Sequence, residues 1–222
     1  MNKDIILTDW NLTDYNDGWK KQEDLLGQTL DKKAKDEPTD NILVFCEHPH
    51  VYTLGKSGDD TNLLINSLQL RNIEATFVHT NRGGDITYHG PGQLVGYPIF
   101  DLENFHIGLK QYVFLIEESI IRLLETYGVP SGRLAGATGV WLDPDNENCR
   151  KICAIGIRSS HFVTMHGFAL NVNTDLKYFS YIHPCGFVDK GVTSLSQELN
   201  KPVDMVDLKT RLYKIIQKVF LQ

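Results

Sequence analysis

The chain has 222 residues, of which 41% are hydrophobic and 23% are charged, and its formal net charge at pH 7 is −6. This composition is ordinary for one globular domain spanning residues 1–222, and the acidic balance argues against a nucleic-acid binder, which needs a basic face. The apolar runs are shorter than the ~20 residues of a membrane span, and the N-terminus becomes polar too early for a signal peptide. Four cysteines in such a chain are typical of free thiols, so we expect a cytoplasmic protein.

Apolar spacing predicts the main elements in chain order. Residues 19–35 predict an exposed amphipathic helix, and the apolar run 42–46 predicts a buried strand. Three- and four-residue apolar spacing predicts a helix over 109–127, ended by Gly128, and a final helix over 206–220. Strands at 139–142 and around Lys151 are joined by the turn 143–148. Because strands outnumber helices and several are joined by short turns, we expect an α+β domain with helices packed on a mixed sheet.

The glycine-rich segment 82–93, RGGDITYHGPGQ, lies between apolar runs that end at Val78 and begin at Leu94. Its pattern predicts a loop between two strands. Glycine lets backbone N–H groups approach a ligand closely, and polar side chains at fixed offsets can converge on one small group. We therefore interpret the segment as a ligand-binding loop rather than a surface hairpin, and we expect substitutions at Arg82, Gly84 and His89 to reduce turnover more than folding.

Three further segments carry features of a reactive site. Cys185 lies in a Pro-Cys-Gly turn, where a nucleophile would be exposed and held, whereas a structural cysteine usually lies within an apolar run. Lys151 stands at the entry of a buried strand, KICAIGIR. The strand in MHGFALNVN has Gly167 at a position where a ligand could approach.

Together these segments resemble the lipoyl(octanoyl) transferase family. The resemblance rests on RGGDITYHGPGQLVGYPI, KICAIGIR, MHGFALNVNTDL, the PCG turn and GVTSL, with a weaker match at EHPHVYTLG, and it spans roughly residues 42–197. Two residues depart from the family pattern. His50 stands where a proline is expected, and His183 stands where an apolar residue is expected, which puts a titratable group beside Cys185.

The resemblance implies the fold of biotin and lipoate protein ligase catalytic domains, and a Cys185 nucleophile with Lys151 as its base. Burial beside an acyl pocket would disfavour the charged amine, so that Lys151 could accept the thiol proton. Backbone N–H groups of Gly83 and Gly84 could hold the reacting carbonyl. No cofactor or metal is implied. The implied substrate-binding residues are Arg82, Gly83, Gly84, Asp85, Ile86, Thr87, Tyr88, His89, Ala154, Ile155, Gly156, Gly167, Phe168 and Ala169.

The implied donor is octanoyl-acyl carrier protein. The implied acceptors are the lipoyl domains of 2-oxo-acid dehydrogenase acyltransferase subunits and the glycine cleavage H protein, with no nucleic acid and no membrane involved. These partners are acidic, and so is the chain, so a local basic rim must provide docking. The candidates for this rim are Arg82, Lys110, Arg133, Arg150 and Arg158.

Three alternatives stay open at this stage. An ATP-dependent lipoate or biotin ligase of the same fold would form an acyl-adenylate and would need no nucleophilic cysteine. A catalytically dead acyl sensor would bind the acyl group without becoming acylated. A zinc site of Cys149, Cys153, His161 and His166 has a middle gap shorter than the usual finger, so packed residues are the better interpretation. For Gly156 and Gly167, the alternative to ligand approach is close strand packing.

Overall fold

The structure, a computed structural model, describes residues 2–183 and 191–221. The predicted nucleophile Cys185 lies outside the described residues. The helices are α1 (Tyr15–Ala34), α2 (Ser67–Asn72), α3 (Leu102–Phe105), α4 (Leu109–Glu125), α5 (Leu195–Leu199) and α6 (Met205–Phe220). The strands are β1 (Ile5–Leu12), β2 (Asn41–Glu47), β3 (Val51–Leu54), β4 (Thr76–His79), β5 (Ile86–His89), β6 (Gln93–Ile99), β7 (Gly132–Leu134), β8 (Ala137–Leu142), β9 (Arg150–Ser160), β10 (Val163–Asn171) and β11 (Gly191–Val192).

The larger sheet has the strand order β1-β2-β6-β10-β9-β8-β7, and β11 pairs with β9 beside this path. The β1–β2 and β11–β9 pairs are parallel, whereas β2, β6, β10, β9, β8 and β7 pair antiparallel along the path. This arrangement confirms the predicted α+β fold with a mixed sheet. The turn between β8 and β9 also confirms that the strand 139–142 leads directly into the Lys151 strand.

The smaller sheet corrects the prediction of one continuous glycine-rich loop. Residues 86–89 form β5, which pairs antiparallel with β3, and β3 pairs parallel with β4. The reason is alternation: Ile86 and Tyr88 are 1% and 0% exposed and pack in a second apolar cluster around Tyr52 and Leu54. The glycines therefore divide into two short turns, one before and one after this strand.

Helices cover both faces of the larger sheet. Helices α4 and α6 contribute Ile116, Ile120, Leu208 and Leu212 to the main apolar cluster, which also contains residues of β2, β6, β8, β9 and β10. Helix α1 packs on β10 and β6. It begins at Tyr15 rather than at residue 19, because the Asp14 carboxylate accepts hydrogen bonds from the first-turn N–H groups. Within residues 2–183 and 191–221, no helix combines the length and apolarity needed to cross a membrane.

Candidate active site

A cavity of ≈ 1170 Å³ lies between the two sheets, helix α4 and the β7–β8 hairpin. Its volume is slightly above the ~300–1,000 Å³ typical of ligand pockets, so it has room for a small-molecule ligand. Lys151 lines it, and so does every predicted substrate-binding residue except Tyr88. The described part of the chain thus brings residues of β9, β10 and the glycine turn to one surface.

Lys151 is half-buried near the start of β9. Its Nζ lies 4.5 Å from the centroid of the Trp141 ring, in cation–π geometry, and Trp141 is 1% exposed. The Lys151 carbonyl accepts a hydrogen bond from the Thr193 N–H at 3.0 Å, just after β11. Lys151 is therefore held between a buried indole on β8 and the short strand that follows residues 184–190.

The ends of the segment that carries Cys185 are fixed by described residues. On one side, the His183 N–H donates to Asn62 O at 2.9 Å. On the other, Gly191 pairs with Arg150 and Val192 pairs with Lys151 in the parallel β11–β9 bridge. The chain therefore leaves the smaller-sheet side of the cavity and returns directly beside Lys151.

The glycine turn bridges the two sheets. The Gly83 N–H donates to Ile157 O on β9 at 2.9 Å, so this donor is already paired and is not available to a substrate carbonyl. Gly84 is exposed and has a φ of 87°, a left-handed conformation that side-chain-bearing residues rarely adopt. Of the two predicted backbone donors, the Gly84 N–H stays the candidate.

Two charged residues of this turn, Arg82 and Asp85, form hydrogen bonds within the protein. The Arg82 side chain is buried, and its Nη2 donates to Thr53 O at 2.6 Å and to Thr53 Oγ1 at 2.9 Å. The Asp85 carboxylate accepts from Asn62 Nδ2 at 2.8 Å. Both residues line the cavity, but their hydrogen bonds tie the turn to β3 and to the chain that leads to His183.

The buried histidines at the cavity are neutral. Burial, with smaller contributions from His48 and Arg82, lowers the pKa of His89 to about 3. Burial, reinforced by Arg82 and Arg158, lowers the pKa of His166 to about 3. His89 Nδ1 lies 2.8 Å from Gln93 Oε1, and His166 Nε2 lies 2.6 Å from Asn81 Oδ1. Each imidazole is therefore a weak base that is already hydrogen-bonded inside the protein.

Tyr88 lies away from the cavity, so we remove it from the substrate-binding set. Its ring stacks on Tyr178 at a centroid distance of 4.9 Å, and its hydroxyl lies 2.7 Å from Nδ1 of His50. His50 Nε2 in turn lies 3.2 Å from the Tyr178 hydroxyl. Strand alternation explains this, because residue 88 faces the side opposite Thr87 and His89. The histidine that departs from the family pattern thus anchors the turn preceding Ile182.

Close backbone packing accounts for two glycines that we expected to admit ligand. A Cβ on Gly167 would lie 2.1 Å from Gly96 O on the neighbouring strand. A Cβ on Gly156 would lie 2.9 Å from Gly83 O. Both residues line the cavity, but their lack of a side chain is first required by the approach of β6 and of the glycine turn.

The three described cysteines are unsuited to nucleophilic attack. Cys46, Cys149 and Cys153 are buried free thiols. Burial raises the pKa of Cys46 and of Cys153 well above the usual range of a thiol. In the described ranges, which exclude 184–190, no group of three His, Cys, Asp or Glu side chains is arranged to hold a metal ion.

The predicted basic rim is reduced by internal pairing. Arg82 is buried, and Arg133 pairs with Glu117 and with Glu118 at 3.0 and 2.9 Å. Arg150 pairs with Asp143 and Glu198, and the hydrogen bonds that it donates to Glu198 are the main cause that raises the pKa of Arg150. The remaining candidates for a docking rim are Lys110, which is exposed at the cavity, and Arg158.

Glu117 is a cavity residue that the sequence analysis missed. It lies on α4, is 8% exposed, and lines the cavity together with Lys151. In the sequence it is one of two adjacent glutamates on an amphipathic helix, which normally indicates a solvated face. Its spacing could have indicated burial, because Glu117 follows Val113 by four residues and precedes Ile120 by three, which places it on the apolar stripe of the helix.

Comparison with known proteins gives matches that cover nearly the whole chain. Residues 14–217 match the family model of the lipoyl protein ligase A/B catalytic domain. An octanoyltransferase of Bacteroides fragilis is 60% identical over 207 residues, covering 93% of this chain and 94% of that protein. An octanoyltransferase of Flavobacterium johnsoniae is 54% identical over 227 residues, covering 99% and 98%.

Solved structures share the fold at low sequence identity. A lipoate-protein ligase A bound with ATP superposes with a TM-score of 0.68 at 14% identity, covering 100% of this chain and 86% of that one. A biotin protein ligase from Aquifex aeolicus gives a TM-score of 0.57 at 15% identity, covering 99% and 71%. With its motifs gathered around one cavity and its relatives matching almost end to end, this chain belongs to the lipoyl protein ligase A/B catalytic domain family.

Proposed function

We propose that this protein is an octanoyltransferase that moves an octanoyl group from octanoyl-acyl carrier protein, through a thioester on Cys185, to a specific lysine of a lipoyl domain. The acceptors would be lipoyl domains of 2-oxo-acid dehydrogenase acyltransferase subunits and the glycine cleavage H protein. The observation that carries the proposal is a cavity that gathers Lys151, the glycine turn and the β10 motif, with Val192, seven residues after Cys185 in the sequence, paired with Lys151. The names of relatives at 50–60% identity support the octanoyl group as cargo.

The proposed chemistry has two acyl transfers. Lys151 Nζ, in its neutral form, takes the proton of the Cys185 thiol, and the thiolate attacks the thioester carbonyl of the donor. The carrier thiolate leaves and takes up that proton from Lys151, which becomes neutral again, and the octanoyl group is bonded to Cys185 Sγ. The acceptor lysine then attacks this thioester, loses a proton to Lys151, and releases the Cys185 thiol.

The thiol needs such help, because a free cysteine with a pKa of ~8.5 is only a few per cent thiolate at pH 7. The Gly84 N–H is the proposed donor to the oxyanion that forms at the carbonyl in each transfer. One such donor is typically worth about 3 kcal/mol of transition-state stabilisation.

Elimination among the cysteines supports Cys185. The other three are buried, and the raised pKa of Cys46 and Cys153 opposes thiolate formation. Because the donor is already a thioester, the proposed reaction needs neither ATP nor a metal.

Intact mass measurement after incubation with octanoyl-acyl carrier protein, without ATP, tests the proposal. The wild-type protein should gain one octanoyl group, which peptide mapping should place on Cys185, and a lipoyl domain added next should remove it. Cys185→Ser should show no transfer, because a serine hydroxyl is far harder to ionise than a thiol. Cys149→Ser is the matched control and should transfer normally.

Three results would contradict the proposal. Octanoyl found on Cys46, Cys149 or Cys153 would refute the assignment of the nucleophile. Transfer to a lipoyl domain that required ATP and free octanoate would identify an adenylate-forming ligase instead. Binding of the acyl group without any mass gain would identify a sensor.

A further inference from the structure

The geometry points to Glu117 as a positioning residue that fixes the Lys151 side chain through the backbone of Gly139. The inference rests on the proposed role of Lys151 as the base. Glu117 projects from α4 into the wall of the cavity, where it is 8% exposed. A carboxylate that is withdrawn from water needs compensating partners, and the identity of these partners indicates what the residue does.

The two carboxylate oxygens have different partners. Glu117 Oε1 accepts a hydrogen bond from the Gly139 N–H on β8 at 3.0 Å. Glu117 Oε2 accepts from Arg133 Nε, also at 3.0 Å. Arg133 is also tied to α4 by its hydrogen bond to Glu118, so the helix would hold this arginine without Glu117. The contact that Glu117 alone supplies is the one to Gly139.

Gly139 lies directly against the Lys151 side chain. Its φ is 124°, in the region that favours glycine. A Cβ placed on Gly139 would lie 2.5 Å from Cys153 O and 3.6 Å from Lys151 Cε. The Gly139 backbone is therefore part of the surface against which the stem of the lysine packs, and the hydrogen bond that its N–H donates to Glu117 fixes its orientation.

A β-bulge at the same place determines where the lysine points. Trp141 pairs with Lys151 and Val140 pairs with Cys153, so Ile152 of β9 has no residue opposite it on β8. Such bulges bend the strand and redirect side chains. On β8 the irregularity lies between Val140 and Trp141; Gly139 directly precedes Val140, and Trp141 carries the ring that lies 4.5 Å from Lys151 Nζ. Glu117 thus holds the β8 side of the bulge that aims the amine into the cavity.

The charges of Glu117 and Lys151 act on the same buried atom. Both contribute to the pKa of the Cys153 thiol: Lys151 opposes, and Glu117 reinforces, the increase that burial causes. Glu117 therefore shares the surroundings of one buried atom with Lys151, in addition to fixing the backbone beside it.

The test compares Glu117→Ala and Glu117→Gln with the control Glu118→Gln, which removes the neighbouring carboxylate on Arg133. For Glu117→Ala we expect kcat for octanoyl transfer to fall ~10–100-fold, because a base misplaced by about 1 Å loses that much, with an unchanged KM for the carrier. Glu117→Gln keeps an oxygen for the Gly139 N–H but loses the charge, so its kcat should fall less. Glu118→Gln should match the wild type.

A second readout reports on Lys151 itself. We expect a small amine-reactive reagent to label Lys151 about threefold faster or more in Glu117→Ala, because an amine that loses the packing surface beside it is more accessible to the reagent. Labelling of the exposed Lys110 should not change. A role of Glu117 in folding alone would lower the melting temperature and kcat but would leave Lys151 labelling of the folded protein unaltered.

Equal Lys151 labelling in the wild type and both Glu117 variants would overturn the inference, and so would a normal kcat in a folded Glu117→Ala protein. If Glu117→Ala does not fold, Glu117→Gln decides the same question. If the wild-type protein fails to transfer octanoyl, the proposed function fails, whereas the labelling comparison still determines whether Glu117 positions Lys151.

Discussion

The two sheets contribute opposite kinds of surface to the same cavity. The smaller sheet and its glycine turn bring polar groups, and these are mostly bonded inside the protein: Arg82 to Thr53, and Asp85 to Asn62. Strands β9 and β10 bring small or apolar residues, with Lys151 at the entry of β9. The comparison teaches that the polar residues of the glycine turn, whose sequence pattern predicted ligand contacts, mainly stabilise the wall of the cavity. The proposed chemistry depends on Lys151, which lies in an ordinary-looking strand.

The largest effect should come from Lys151→Arg. Arginine keeps the positive charge but stays protonated, with a pKa above ~12, so it cannot accept the thiol proton. We expect turnover to fall ~10²–10⁴-fold, the usual contribution of a general base, with an almost unchanged free energy of unfolding. Steady-state kinetics and urea unfolding measure the two quantities.

Near-normal turnover of Lys151→Arg would reduce Lys151 to an electrostatic helper. Another base would then be needed. His89 and His166 are poor replacements, since burial lowers the pKa of each to about 3. His183, which is exposed two residues before Cys185, would become the better candidate.

Arg82→Met should show the opposite pattern to Lys151→Arg. It removes a buried guanidinium and leaves Thr53 O and Thr53 Oγ1 without that donor, so we expect a loss of about 2–4 kcal/mol in the free energy of unfolding. This corrects our expectation from the sequence that turnover would suffer more than folding. Arg158→Met is the control, and urea unfolding is the measurement. A fully stable but inactive Arg82→Met protein would restore Arg82 as a substrate contact.

A smaller effect should be a decrease in the free energy of unfolding at acid pH, caused by the buried histidines His89 and His48. Burial lowers the pKa of His89 to about 3 and of His48 to about 4, whereas an unfolded histidine titrates near ~6.5. Between these values the unfolded chain binds protons that the folded chain does not. The stabilisation is therefore complete above pH ~6.5 and is lost as the pH falls through about 4 towards 3.

Urea unfolding at pH 7.5, 6 and 5 measures this dependence. The free energy of unfolding should decrease at each step, and His89→Gln should decrease less steeply than the wild type. The exposed His161 provides the control, because His161→Gln should keep the wild-type slope. An equal slope in His89→Gln would mean that this imidazole is accessible to protons in the folded protein.

The smallest effect concerns docking of the acidic donor. Lys110 is exposed at the cavity and stays a candidate for the docking rim. Lys110→Ala should therefore raise the KM for the carrier a few-fold at low salt, since one exposed charge contributes at most ~1 kcal/mol. Added salt should reduce the difference. Lys218, in the last turn of α6, is a control that should leave the KM unchanged.

Local patterns predicted the elements whose apolar spacing is strong. Helix α4 begins at residue 109 as expected, and α6 starts within one residue of its predicted start, because each has an unbroken apolar stripe. The smaller sheet could not be predicted, since β5 finds its partner β3 more than 30 residues earlier and is flanked by glycines. Tyr88 was misassigned although strand alternation already separated it from Thr87 and His89. Glu117 was missed because its proposed role depends on the hydrogen bond from the Gly139 N–H, a contact between α4 and β8 that only the folded chain forms.

The Trp141 ring beside the Lys151 amine has a practical consequence. Trp141 lines the cavity, whereas Trp10 and Trp19 do not. Indole emission responds to nearby charge and to water, so filling the cavity or neutralising Lys151 should change the fluorescence of this one tryptophan. The protein therefore carries an intrinsic optical reporter at its proposed base, and acyl-group entry can be followed in real time without a label and without turnover.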